Sequence, residues 1–194
     1  MALSEKEREL VARTIHESIQ VKEALLRTMV PQIVEAAERI VQSYRAGGKL
    51  ILFGNGGSAG DAQHIAAELV GRFERERRAL PAIALTTNSS ILTAIGNDYS
   101  YEKVFSRQIE AWAHPGDVVV GISTSGNSSN VLQGIDAAKL KKAFTVGLTG
   151  EKGGKLAPQV DLCLKVPSSN VARIQESHIM IGHLLCLLID QNLS

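Results

Sequence analysis

The chain has 194 residues, a net charge of +1, 44% hydrophobic and only 4% aromatic residues, and two cysteines. This length suits one domain. The balance of 21 basic against 20 acidic residues leaves no field to hold nucleic acid, and so few aromatic rings leave little on which single strands could stack. Cys163 and Cys186 sit in apolar runs without C-x-x-C spacing, which reads as buried thiols in a reducing cytosol.

The opening residues 1–10 are charged and helical in character, unlike a secretory leader. Ser4 and Glu7 have the spacing of a capping box. Leu10, Val11, Ile15, Ile19 and Val21 then trace a helical stripe. Pro31 suits the first turn of a second helix, which carries Ile33, Val34, Ala37, Ile40 and Val41 on one side and stops at Gly47-Gly48. Residues 1–46 therefore predict an N-terminal helical hairpin.

From residue 49 the pattern changes. Short apolar runs at 49–53, 81–85, 117–122, 143–148 and 160–166 predict five strands. Helical stretches are expected at 59–70, 91–95, 101–113, 130–140 and 171–192. This alternation predicts an α/β fold, a doubly wound five-stranded parallel sheet covered on both faces. No linker or repeat divides the chain, so 1–194 reads as one domain, with the α/β core at 49–194. The longest apolar stretch, about 179–189, is broken by Gly182 and His183 and is too short to span a bilayer. A cytoplasmic protein with no membrane segment is expected.

Two polar loops stand where a strand ends and a helix begins, the place where open α/β sheets bind ligands. The first is Gly54-Asn55-Gly56-Gly57-Ser58, either a tight turn or a loop whose backbone approaches a ligand closely. The second runs from Ser123 to Ser128 and packs Ser123, Thr124, Ser125 and Ser128 around Gly126. Four hydroxyls exceed what one helix cap needs. With the amides of a helix N-terminus they predict a phosphate cradle that needs no Lys or Arg. No Gly-Lys-Ser/Thr follows either loop, and the first lacks G-x-G-x-x-G, so no nucleotide cofactor is expected. A small phosphorylated metabolite fits better.

Beyond the first loop, His64 and Glu68 are four residues apart and share a helix face. Gln175, His178 and His183 lie on the otherwise apolar last helix. Two chemistries are open. A Glu and a His facing a sugar carbonyl could move a proton between adjacent carbons through an enediol. The same side chains with an amide oxygen could hold a divalent metal. Gln175 and His183 are eight residues apart, about 12 Å along a helix, so one ion would use only some of these groups or draw ligands from two chains. The segment 71–78 is rich in Arg, but its interleaved Glu residues suggest a solvated or subunit-facing loop more than a docking patch.

The pairing of the segment 53–58 (Phe-Gly-Asn-Gly-Gly-Ser) with 121–128 (Gly-Ile-Ser-Thr-Ser-Gly-Asn-Ser) resembles the sugar isomerase (SIS) family, a flavodoxin-like fold. Within it, the segments 61–64, 80–84, 95–99, 148–150 and 173–178 resemble the phosphoheptose isomerases over nearly the whole chain. The resemblance implies conversion of sedoheptulose 7-phosphate to D-glycero-D-manno-heptose 7-phosphate, the first step toward ADP-heptose for bacterial surface polysaccharide. It implies that Asn55, Gly56, Gly57, Ser58, Asn97, Asp98 and Gln175 contact substrate and that Ser123, Thr124, Ser125 and Ser128 hold the phosphate. It implies Glu68 as the base and His183 as its acid partner, zinc at His64, Glu68, Gln175 and His183, and a homotetramer with sites at subunit junctions. Some members have Asp where this chain has Ala172. The competing reading is a non-catalytic SIS protein that binds sugar phosphate or the replication initiator. That relative lacks the equivalents of Glu68 and His183, whose presence here favours catalysis.

Overall fold

The computed structural model describes residues 4–193. Residues 1–3 of the expected opening helix lie outside them. Helix α1 (Glu5–Thr28) and helix α2 (Val30–Arg45) are joined through the single residue Met29. The Ser4 amide donates to the Glu7 carboxylate at 2.6 Å, which satisfies one donor left over at a helix start. Pro31 sits in the first turn of α2, where its missing N–H is not needed. Helix α2 buries Ile33, Ala37, Ile40 and Val41 of its expected side but leaves Val34 39% exposed, and α1 buries only Leu25. Leu10, Val11, Ile15 and Ile19 of the expected stripe are 47–58% exposed.

The core follows in chain order: β1 (Leu50–Gly54), α3 (Gly57–Val70), β2 (Ala82–Ala84), α4 (Ser89–Asp98), a 3-10 turn (Tyr101–Lys103), α5 (Ser106–Trp112), β3 (Val118–Ile122), α6 (Ser129–Leu140), β4 (Phe144–Gly150), β5 (Leu162–Val166) and α7 (Val171–Leu193). All strand pairings are parallel, in the order β2-β1-β3-β4-β5. Successive side chains on a strand face opposite ways. Leu50, Leu52, Val118, Val120 and Ile122 join the core under α2, α3 and α7. Ile51, Phe53 and Val119 join the core under α5 and α6. Burial on both faces is why the central strands β1 and β3 are continuous apolar runs, while the edge strand β5 alternates, with Lys165 exposed.

Two elements differ from expectation. The helix expected at 101–113 is broken, because Val104 and Phe105 both enter the core between the 3-10 turn and α5. A continuous helix would splay adjacent side chains by about 100°. Phe105 instead stacks on Phe53, ring centroids 4.9 Å apart. Helix α4 is longer than the expected 91–95, because Asn88 caps it by accepting from the Ile91 amide at 3.0 Å.

The strand order places the switch point between β1 and β3, where the chain winds out in opposite directions. Gly54 pairs with Ile122 at the carboxyl ends of these two strands. The two polar loops therefore leave the sheet side by side. Among the described residues, no helix is long and apolar enough to cross a membrane. Cys186 is buried, Cys163 half-buried, and both are free thiols.

Candidate functional site

The first loop turns into α3 with Gly56 at the cap position and Gly57 as the first helical residue. Ser58 is buried, and its amide donates to the Asn55 carbonyl at 3.0 Å. Gly57 lies under the Gln175 side chain: a Cβ there would stand 2.5 Å from the Gln175 amide nitrogen. This contact brings Gln175, from the first turns of α7, to the first loop.

The second loop folds its hydroxyls together. Ser123 Oγ lies 3.0 Å from Ser128 Oγ and 3.4 Å from Ser125 Oγ. Ser128 is the cap residue of α6, yet its side chain makes no capping bond. The hydroxyls and the first amides of α6 are thus left for an anion. The loop is braced from β4 and beyond: the Gly150 amide donates to the Thr124 carbonyl at 3.0 Å, and the Leu156 amide to Gly126 at 2.9 Å. Gly126 has φ +65°, and a Cβ there would collide with the Gly153 carbonyl, so only glycine lets the two segments touch. Thr124, Ser125 and Lys152 line a cavity of about 270 Å³. A cation, Lys152, thus shares this cavity with two of the loop's hydroxyl residues.

An amide pair that sequence reasoning missed ties the loops together. Asn55 Nδ2 donates to Asn130 Oδ1 at 2.8 Å, and Asn130 Nδ2 returns the bond to Asn55 Oδ1 at 2.9 Å. The Tyr101 hydroxyl also donates to Asn55 Oδ1, at 3.3 Å. Asn130 is 4% exposed. Its position early in the helix after the second loop was the only available signal. Asn97 and Asp98 end α4, exposed and bonded to each other at 2.9 Å. Asp98 lines a separate groove with Ile91, Tyr99, Arg107 and Trp112.

Helices α3 and α7 bring His64, Glu68 and His183 together. Gly182 makes this possible, because a Cβ there would lie 2.6 Å from Ile65 Cδ1. With only a hydrogen at that point the helices approach closely, and the next residue, His183, meets the next turn of α3. His64 Nε2 lies 3.1 Å from Glu68 Oε1 and 3.3 Å from His183 Nε2. The three donor atoms all lie within 4.8 Å of one another. Two ligands about 2.1 Å from one tetrahedral zinc ion stand about 3.4 Å apart, so the donor set and its spacing fit a divalent cation.

Two further titratable groups were not singled out as site residues. Asp61, one turn before His64, has a buried carboxyl oxygen without a partner. Burial pushes its pKa up to about 6, against the opposing pull of His64. His178 is fully buried, with Nε2 3.2 Å from the Thr149 carbonyl. A carbonyl only accepts, so Nε2 carries the proton. Burial holds this imidazole down to about 4, against the Thr149 bond. His178 is a core histidine facing away from the cluster.

Residues 15–150 match the model of the SIS domain family. The chain is 59% identical over 179 residues to a phosphoheptose isomerase of Roseiflexus sp., covering 92% of this chain and 91% of that one. It is 54% identical over 183 residues to a phosphoheptose isomerase of Aquifex aeolicus, covering 94% and 96%. Among solved structures it resembles the phosphoheptose isomerase GmhA from Neisseria gonorrhoeae, with a TM-score of 0.90, 46% identity and coverage of 95% and 98%.

Proposed function

The chain belongs to the SIS-domain family, among its phosphoheptose isomerases, and on that footing we propose that it converts sedoheptulose 7-phosphate to D-glycero-D-manno-heptose 7-phosphate, the entry into ADP-heptose synthesis. The observation that carries the reading is the Glu68–His64–His183 cluster, built on the helix that leaves the first of the two loops at the switch point of the sheet.

Each step falls to a named group. Ser123, Thr124, Ser125 and Ser128 take the phosphate, with the amides opening α6. The backbone of Asn55, Gly56 and Gly57, with Ser58 and Gln175, aligns the carbon chain. Glu68 removes a proton from C1 of the ketose as the C2 carbonyl oxygen takes one, giving an enediol. The same carboxyl returns its proton to C2 as the O1 proton leaves and the C1 carbonyl forms. His183 carries the proton exchanged between the two oxygens. His64, Glu68 and His183 of one chain would hold a divalent cation such as zinc, and Gln175, held over Gly57 in the same chain, would join them only from a neighbouring subunit. Bound there, the cation would polarise the sugar carbonyl.

The active assembly in this reading is a cytoplasmic homotetramer with sites at subunit junctions. Two features support shared sites: Asp98 lines a groove that includes no residue of either loop, and α1 leaves its apolar stripe uncovered.

The test is turnover of sedoheptulose 7-phosphate in deuterium oxide, followed by NMR at C1 and C2. Solvent deuterium should enter the carbon skeleton. Glu68→Gln should lower kcat by about 10²- to 10⁴-fold, the usual contribution of a positioned acid–base group. Binding without turnover by the wild-type protein would support the non-catalytic alternative. Full activity of Glu68→Gln would move the base elsewhere.

A further inference from the structure

The segment 71–80 links α3 to β2 without regular structure, and only Phe73, Arg77 and Leu80 turn inward from it. Arg77 and Asp190, from the far end of α7, form an ion pair at 2.6 Å, their side chains 1% and 0% exposed. The same guanidinium donates to the carbonyls of Glu68 at 2.9 Å and Leu69 at 2.8 Å, acceptors that the end of α3 leaves open. Asp190 also accepts from the Glu74 amide at 3.0 Å and the Arg75 amide at 3.2 Å. The segment is therefore pinned at its centre to both helices that build the cluster.

This pinning sets Phe73 over His183. The rings stack with centroids 5.4 Å apart and an interplanar angle of 28°. On another side His64 meets the His183 ring edge-on, at 4.9 Å and 70°. Histidines that bind metals or move protons are ordinarily oriented by a hydrogen bond to the second ring nitrogen. Among the described residues none makes that bond to His183 Nδ1. The ring that must aim Nε2 at His64 and Glu68 is instead held by stacking.

We propose that Phe73 is a positioning residue, holding the His183 imidazole in its working orientation in place of a hydrogen bond to Nδ1. The proposal rests on the reading of His183 as the acid partner, and its test keeps the two apart. Phe73→Leu keeps apolar bulk and loses the ring, while Phe73→Tyr keeps the ring. These variants, His183→Gln and the double variant Phe73→Leu/His183→Gln are assayed on sedoheptulose 7-phosphate. The His183 ring proton shift is read by NMR, assigned by its loss in His183→Gln.

Phe73→Leu should lower kcat about tenfold, as misaligned reacting groups do, with KM within about twofold. Phe73→Tyr should restore kcat. The double variant should be no slower than His183→Gln alone. The His183 ring proton should lie upfield in the wild type and Phe73→Tyr, under the aromatic face, and move downfield in Phe73→Leu. Wild-type kcat for Phe73→Leu with an inactive His183→Gln overturns the proposal and leaves the reading of His183 standing. Wild-type kcat for His183→Gln overturns that reading itself. An equal penalty from Phe73→Leu in both backgrounds, or an unmoved ring proton, assigns Phe73 to general packing.

Discussion

His178 shows how one residue can be placed in a family motif and still serve the core. The neutral ring is kept by burial, with a folded pKa of about 4 against an ordinary value of 6.5. Between those values the unfolded chain binds a proton that the folded chain refuses. Stability therefore falls as pH drops from 6.5 to 4, by on the order of 3 kcal/mol from this group. Asp61 acts in the opposite sense: raised to about 6, it keeps a proton the unfolded chain has lost, and its contribution fades as pH rises through 6. Urea unfolding at pH 7 and pH 4.5 separates them. His178→Gln should be less stable at pH 7 but lose less between the two pH values than the wild type, and an unchanged difference would remove His178 from the account. At this scale the sequence was only partly readable. The hydroxyls of the second loop and the His64–Glu68 spacing are local patterns. The Asn55–Asn130 pair spans 75 residues and the Phe73–His183 stack more than a hundred, so no spacing rule could disclose them.

Elements were legible where one period dominates. The central strands appear as apolar runs because both faces of the sheet are covered there, and the positions of all five strands match the expected ones to within a few residues. The helix expected at 101–113 fails for a tertiary reason, the joint demand of Val104 and Phe105 for the core. The segment 71–80 also looked different in sequence. Its alternating charges suggested a solvated loop, and most are exposed, but Arg77 is drawn into a buried pair that the charge pattern hides. The second loop, which would hold the phosphate in the proposed reading, depends on close contact with the turn after β4, and Gly126 is the point of contact. Gly126→Ala adds both a strained positive φ and a clash with backbone, costing about 1–3 kcal/mol. Thermal unfolding should record that loss. Steady-state kinetics should show a raised KM for the phosphorylated sugar, because the displaced hydroxyls serve ground state and transition state alike. An unaltered KM would mean that the phosphate lies elsewhere.

For the whole molecule, the unsolved surface is the N-terminal helix. Its stripe predicted a buried face, and the capped helix forms as expected, but one chain offers that face nothing to pack on. Val11, Ile15, Ile19 and Leu26 are 58, 56, 47 and 71% exposed. They recur at helical spacing along one side of α1. Contiguous exposed apolar residues of this kind mark an association surface, and closed symmetry is the usual way identical chains cover one. Helix α2 packs on the core and buries its expected side except for Val34, which is 39% exposed, whereas this chain covers little of α1. A tetramer should appear in light scattering at about 83 kDa, four times the 20.8 kDa chain. The double variant Ile15→Glu/Ile19→Glu puts charge where burial requires apolar surface. It should lower the mass to that of a smaller species while circular dichroism keeps the helical signal. If sites are completed across subunits, kcat should fall together with the mass as protein is diluted. A variant that stays at the wild-type mass would exclude α1 from the interface, and a smaller species with full kcat would place every catalytic group within one chain.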